Sequence, residues 1–166
     1  MAIMARQTMR AVGLRWRGMR LLILLALLPL ASCKTPKFLC FKSSGLGAIA
    51  ITSTETVNRG RPIDIALVFI TDKEVLQSIS KMKAKDYFAM QEQIERDFPK
   101  GYQFQHWQIQ AGQYETVVPT GAPCNLVGTF LFVNYRFDGD FRQKVGKEKS
   151  GTLVLGDKNF TWVPKG

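Results

Sequence analysis

The chain has 166 residues, 46% of them hydrophobic, with 23 Lys and Arg against 13 Asp and Glu and a formal net charge of +10. That is the length of one modest domain with enough apolar material for a core. The basicity is uneven: Arg6, Arg10, Arg15, Arg17 and Arg20 crowd the start with no acidic residue among them, and no long basic run interleaved with aromatics follows, which excludes a nucleic-acid partner from the reading.

The stretch from Leu21 to Cys33, Leu-Leu-Ile-Leu-Leu-Ala-Leu-Leu-Pro-Leu-Ala-Ser-Cys, is too short to span a bilayer as a mature helix. Behind a basic leader it has the layout of an export signal. Leu30-Ala31-Ser32-Cys33 resembles the bacterial lipobox, which implies cleavage before Cys33 and acylation of its thiol and new amine. Three acyl chains exceed the two that already give stable anchoring. Lys34 stands where the lipoprotein pattern uses aspartate for inner-membrane retention, so the resemblance implies the outer membrane. Removing residues 1–32 with their five arginines leaves 134 residues and lowers the charge from +10 to +5. The expected organisation is a signal peptide over 1–32, a lipidated N-terminus and short tether over 33–44, and one β-sandwich domain over 45–166.

Two further cysteines remain, Cys40 and Cys124. In an oxidising compartment they read as a disulfide, worth about 4.5 kcal/mol in the ideal chain-entropy treatment. The alternative is two separately buried thiols.

Leu46 to Thr54 alternates small and β-branched residues and predicts a strand. Thr56-Val57-Asn58-Arg59-Gly60-Arg61-Pro62 breaks it with turn-forming residues. Ile63 to Ile70 predicts a central buried strand, expected to pair with its predecessor as a hairpin. Asp72 is the expected N-cap of a helix reaching about Met82, with Glu74 in its first turn. A second helix is predicted over Ala84 to Phe98, with Tyr87, Met90, Ile94 and Phe98 on one face and Pro99 and Gly101 ending it. Strands follow at Tyr102 to Gln110, Tyr114 to Val118 and Leu126 to Phe137, then a hairpin turn at Asp138-Gly139-Asp140. A strand from Phe141 running into a charged loop, and two short strands within Thr152 to Leu155 and Asn159 to Val163, complete the chain. Eight or so strands with two short helices inserted after the second predict a mainly β fold, a sandwich.

Chemistry-bearing patterns are sparse. His106 is the one histidine, and a zinc site would need further ligands at suitable spacing. No nucleophile-elbow context surrounds Ser53 or the other serines. Asp138-Gly139-Asp140 lacks the remaining ligands of a calcium loop. No cofactor, metal or enzymatic activity is expected.

Several of these stretches together carry a resemblance. The Asn58-Arg59-Gly60-Arg61-Pro62 turn between two strands, Tyr87-Phe88 in the second helix, Trp107-Gln108-Ile109-Gln110-Ala111-Gly112-Gln113, and Val127 through Asp138 with Tyr135-Arg136 resemble the outer-membrane lipoproteins of type VI secretion systems, the TssJ (SciN) family. Ala111 stands where that family usually has proline, and its Trp-Arg pair has only Phe141-Arg142 as a counterpart. The resemblance implies a transthyretin-like, Ig-like β-sandwich, lipid-anchored through Cys33 on the periplasmic face of the outer membrane. There it would bind the periplasmic C-terminal part of an inner-membrane component of the TssM kind through the loop Thr56–Pro62. From the residues alone, Asn58, Arg59 and Arg61 on a Gly60 turn read either as a basic knob for an acidic partner or as a solvated loop. Alternative readings are a lipoprotein of another secretion system, a module binding a small ligand or cell-wall fragment in a pocket lined by Trp107 and Tyr102, and a hydrolase built around His106.

Overall fold

The structure, a computed structural model, describes residues 46–146 and 150–165. The signal segment, Cys33 and Cys40 lie outside the described residues, as does the charged loop 147–149.

Among the described residues, eight strands and two α-helices follow in order: β1 (Ile49–Ser53), β2 (Ile63–Ile70), α1 (Lys73–Ile79), α2 (Ala84–Asp97), β3 (Tyr102–Ile109), β4 (Tyr114–Val117), β5 (Gly128–Val133), β6 (Arg142–Val145), β7 (Ser150–Leu155) and β8 (Phe160–Lys165). They form two four-stranded sheets, β4-β1-β7-β8 and β3-β2-β5-β6. The fold is a β-sandwich with the helices between β2 and β3, as the sequence predicts.

Strand β2 explains the layering. Seven of its eight residues are buried and the eighth, Asp64, is half-buried, because both of its faces are covered. Ile63, Ile65, Leu67 and Phe69 point into the space between the sheets, where they meet Ile49, Ile51, Leu131, Leu153 and Leu155. Ala66, Val68 and Ile70 point the other way, under Val75 and Ile79 of α1 and Tyr87 and Ile94 of α2. In this outer layer Tyr87 stacks on Phe132, with ring centres 4.3 Å apart, and its hydroxyl is bonded to that of Tyr102. Desolvation raises the ionisation range of both phenols, so the pair stays neutral at any ordinary pH.

The expected β1–β2 hairpin is absent. Strand β1 pairs with β4 antiparallel and with β7 parallel, whereas β2 pairs with β3 and β5. The segment joining β1 to β2 therefore crosses from one sheet to the other. Asp72 caps α1 as predicted: its Oδ1 accepts from the backbone N–H groups of Glu74 at 2.7 Å and Val75 at 3.2 Å. The helix stops at Ile79 rather than Met82, and Lys83 adopts an extended conformation before α2. Along α2 the buried line is Ala84, Tyr87 and Ile94. Met90 falls off that line and is 40% exposed. The β5–β6 connection is longer than a tight hairpin and spans Asn134 to Phe141, and the Asp140 carbonyl accepts the N–H of Ala84 at 2.9 Å. That bond satisfies a donor at the start of α2 which no side chain caps.

Candidate functional site

The crossover between β1 and β2 has the least ordinary backbone among the described residues. Asn58, Arg59 and Gly60 take φ values of 49°, 63° and 71° in succession, so the chain makes a short left-handed turn, closed by the Gly60 N–H donating to the Val57 carbonyl at 2.8 Å. Glycine enters this region freely and asparagine tolerates it; for arginine it costs about 1–2 kcal/mol.

Contacts to two distant connections offset that cost. Asn58 is 3% exposed. Its Nδ2 donates to the Pro62 carbonyl at 3.0 Å, its Oδ1 accepts the Arg136 backbone N–H at 3.0 Å, and its own N–H donates to the Asp157 carbonyl at 3.2 Å. Asp157, in the β7–β8 turn, accepts at Oδ1 from the hydroxyls of Thr56 and, at 3.0 Å, of Thr54. Those hydroxyls hold its carboxyl below the usual aspartate range, Thr56 foremost. The buried Tyr135 hydroxyl is shared between the carbonyls of Gly156 at 2.9 Å and Asn159 at 2.7 Å, and desolvation raises its ionisation range. The β1–β2, β5–β6 and β7–β8 connections are thus tied into one platform at one end of the sandwich.

Of the seven residues Thr56–Pro62, five are exposed, and Val57 and Asn58 are buried. The knob expected from Asn58, Arg59 and Arg61 is therefore two arginines mounted on a buried asparagine peg. Neighbouring connections extend it with Arg136 and Lys158, both exposed. The Arg59 guanidinium lies 5.1 Å and the Lys158 ammonium 5.8 Å from the centre of the Phe137 ring. None of Arg59, Arg61, Arg136 or Lys158 is ion-paired among the described residues. Arg136 sits in a stretch that carried the family resemblance; nothing local in the sequence marks Lys158 or Asp157 as neighbours of the loop.

Other candidate residues are scattered. His106 Nε2 lies 3.5 Å from Asp64 Oδ1, and no group of three or more His, Cys, Asp or Glu side chains converges among the described residues. The Ser53 hydroxyl donates to the Gln110 carbonyl at 2.7 Å. Asp140 accepts from Arg142 Nη2 at 3.0 Å, which gives the Asp-Gly-Asp segment a structural occupation. Tyr102 and Trp107 cannot line one pocket: Tyr102 packs into the helix-covered layer and Trp107 against the space between the sheets. Cys124, in the β4–β5 connection, is disulfide-bonded. No helix among the described residues is long and apolar enough to cross a membrane.

Two sheets, a helical layer on one of them, and an end platform built from three connections define a helix-covered β-sandwich whose most constrained backbone lies in a loop. The same fold occurs in TssJ1, the type VI secretion lipoprotein of Pseudomonas aeruginosa, at 14% identity and a TM-score of 0.55 over 73% of this chain and 95% of that one. It occurs in Lip of Serratia marcescens, a membrane-bound component of the type VI secretion system, at 13% identity and a TM-score of 0.52 over 73% of this chain and 99% of that one. A chain of a structure described as the TssM C-terminal domain from EAEC matches at 11% identity and a TM-score of 0.54, over 71% of this chain and 97% of its own. The fold is TssJ-like. No family model and no curated protein sequence matches the chain.

Proposed function

We propose that this chain is an outer-membrane lipoprotein of a type VI secretion system. Acyl groups on Cys33 would hold it to the membrane, and the loop Thr56–Pro62 would bind the periplasmic C-terminal part of an inner-membrane component of the TssM kind. The observation that carries the reading is the left-handed Asn58-Arg59-Gly60 turn: a backbone cost kept in place by bonds from two other connections, with its arginines turned outward, is strain stored where a loop must hold one shape. The TssJ-like fold supports the same assignment. A rigid loop loses little conformational entropy on docking, and its guanidinium groups suit carboxylates. Its role is to hold other proteins and involves no catalysis. Acylation of Cys33 leaves Cys40 as the partner of Cys124 in this reading, and non-reducing peptide mapping of the mature protein would identify that pair.

Cys33→Ser is expected to leave a folded domain that fractionates away from the outer membrane. Arg59→Glu combined with Arg61→Glu is expected to leave the protein in the outer-membrane fraction but to cut co-purification of the inner-membrane component by more than about tenfold, the cost of reversing charge at a complementary contact. Unchanged co-purification with the charge-reversed loop would sink the assignment of the loop.

A further inference from the structure

Beside the platform the surface dips into a groove of about 570 Å³. Its floor is the start of β2 and the end of β3, where Asp64 stands opposite Gln108. Three elements remote in sequence each bring one cation to it: Arg61 from the β1–β2 loop, Lys85 from the first turn of α2 and Arg136 from the segment after β5, with Asn134 beside it. All three cations are exposed, and none is ion-paired among the described residues. The carboxylate on the floor is engaged elsewhere: Asp64 Oδ1 accepts from Gln108 Nε2 at 3.1 Å and lies 3.5 Å from His106 Nε2.

Three cations around one engaged carboxylate leave the groove electropositive and short of a counter-charge. Its floor also excludes some occupants. A compact anion such as phosphate, seated centrally, would face the Asp64 carboxylate and be repelled. An extended peptide instead offers N–H donors to Asp64 and side-chain carboxylates to the rim, and the amides of Gln108 and Asn134 can meet its backbone. We infer that the groove receives an extended acidic peptide segment of the partner, its carboxylates taken by Arg61, Lys85 and Arg136. This deepens the function proposed above and rests on it only in taking this end of the sandwich as the docking end.

The test uses the full lipoprotein purified in detergent and a fluorescein-labelled peptide of alternating Glu and Gly, followed by fluorescence polarisation, with the Gln-Gly peptide as control. The Glu peptide is expected to bind and the Gln peptide not. Lys85→Glu with Arg136→Glu is expected to weaken the Glu peptide by about tenfold or more, and Arg59→Glu, outside the groove, by less than about threefold. Lys85→Ala with Arg136→Ala serves as a milder second pair, and thermal unfolding checks that each variant is folded. The inference is overturned if both peptides bind alike, if Arg59→Glu costs as much as the groove pair, or if inorganic phosphate or phosphatidylglycerol vesicles displace the peptide, which would make the groove an anion or lipid-headgroup site. Loss of peptide specificity alongside loss of partner co-purification in the Arg59→Glu variant, changed only outside the groove, removes the groove and leaves the loop. The opposite pair of results removes the loop and leaves the groove.

Discussion

Asn58 shows how one buried side chain can fix the shape of a site. Both of its amide atoms and its backbone N–H are bonded, and the residue is almost completely buried. Asn58→Ala would remove the side-chain partners of the Pro62 carbonyl and the Arg136 N–H and place alanine, which enters the left-handed region less readily than asparagine, at φ 49°. The expected loss is about 2–4 kcal/mol, read as a lower thermal midpoint and an earlier urea transition. Asp157 makes the platform sensitive to acid, and the sign follows from the direction of its shift. Its folded carboxyl ionises below the unfolded value, under hydrogen bonds from Thr56 and Thr54, so its contribution is complete above about pH 4 and is lost as pH falls through the lower folded value. Asp157→Ala should therefore flatten the acid limb of stability against pH, and protection of the Asn58 amide from exchange, relative to its intrinsic rate, should fall below about pH 4 in the parent but not further in the variant. The sequence marks this loop through Asn58, Gly60 and Pro62 and does not disclose which residue is the peg. Whether Asn58 is buried depends on Arg136 and Asp157, and local pattern carries no information about partners that far along the chain.

Strands and helices were legible wherever one face is apolar and a breaker ends the run. Asp72, Pro99 and Gly101 each stand at a helix boundary, and β2 is as buried as its apolar run, interrupted at Asp64, implies. Pairing was less legible. A Gly/Pro-rich connection has the same composition whether it folds a strand back on its neighbour or carries it to the opposite sheet; the choice is made by β7, which offers β1 a parallel edge about a hundred residues later. Met90 was misplaced for a related reason: the centre of the α2 face is set by Tyr87 on Phe132, and a residue one turn further on falls outside it. The β7–β8 hairpin depends on a missing side chain. A Cβ at Gly151 would lie 2.3 Å from the Trp162 ring atoms Cη2 and Cζ2. Gly151→Ala should cost about 1–3 kcal/mol by overpacking, and Gly151→Ala with Trp162→Leu should recover part of it, checked by a double-mutant cycle in chemical denaturation.

Among the described residues, Arg59, Arg61, Arg136 and Lys158 and the strained turn share one end of the sandwich, and three of the four sheet edges are guarded in other ways. Edge strand β4 is only four residues long, and Glu115 stands opposite the buried Ile51 of β1. Edge strand β8 contains Pro164, and β6 carries Arg142 and Lys144. On these three edges, shortness, charge and proline discourage pairing with another chain.

The tie between Asn58 and Asp157 also sets an order of events. A chain emerging from its N-terminus presents the arginine loop early, yet the carbonyl that braces the turn comes from the final hairpin. Until β7 and β8 have arrived the loop has no fixed form, so incomplete or clipped copies should be silent toward an assembling partner. Stopping the chain after residue 149 should abolish capture of the partner even though every residue of the loop is present, which pull-down of full-length and shortened proteins side by side would reveal. On the function proposed above, the tail of the chain would thereby act as a proofreader for a surface displayed near its head.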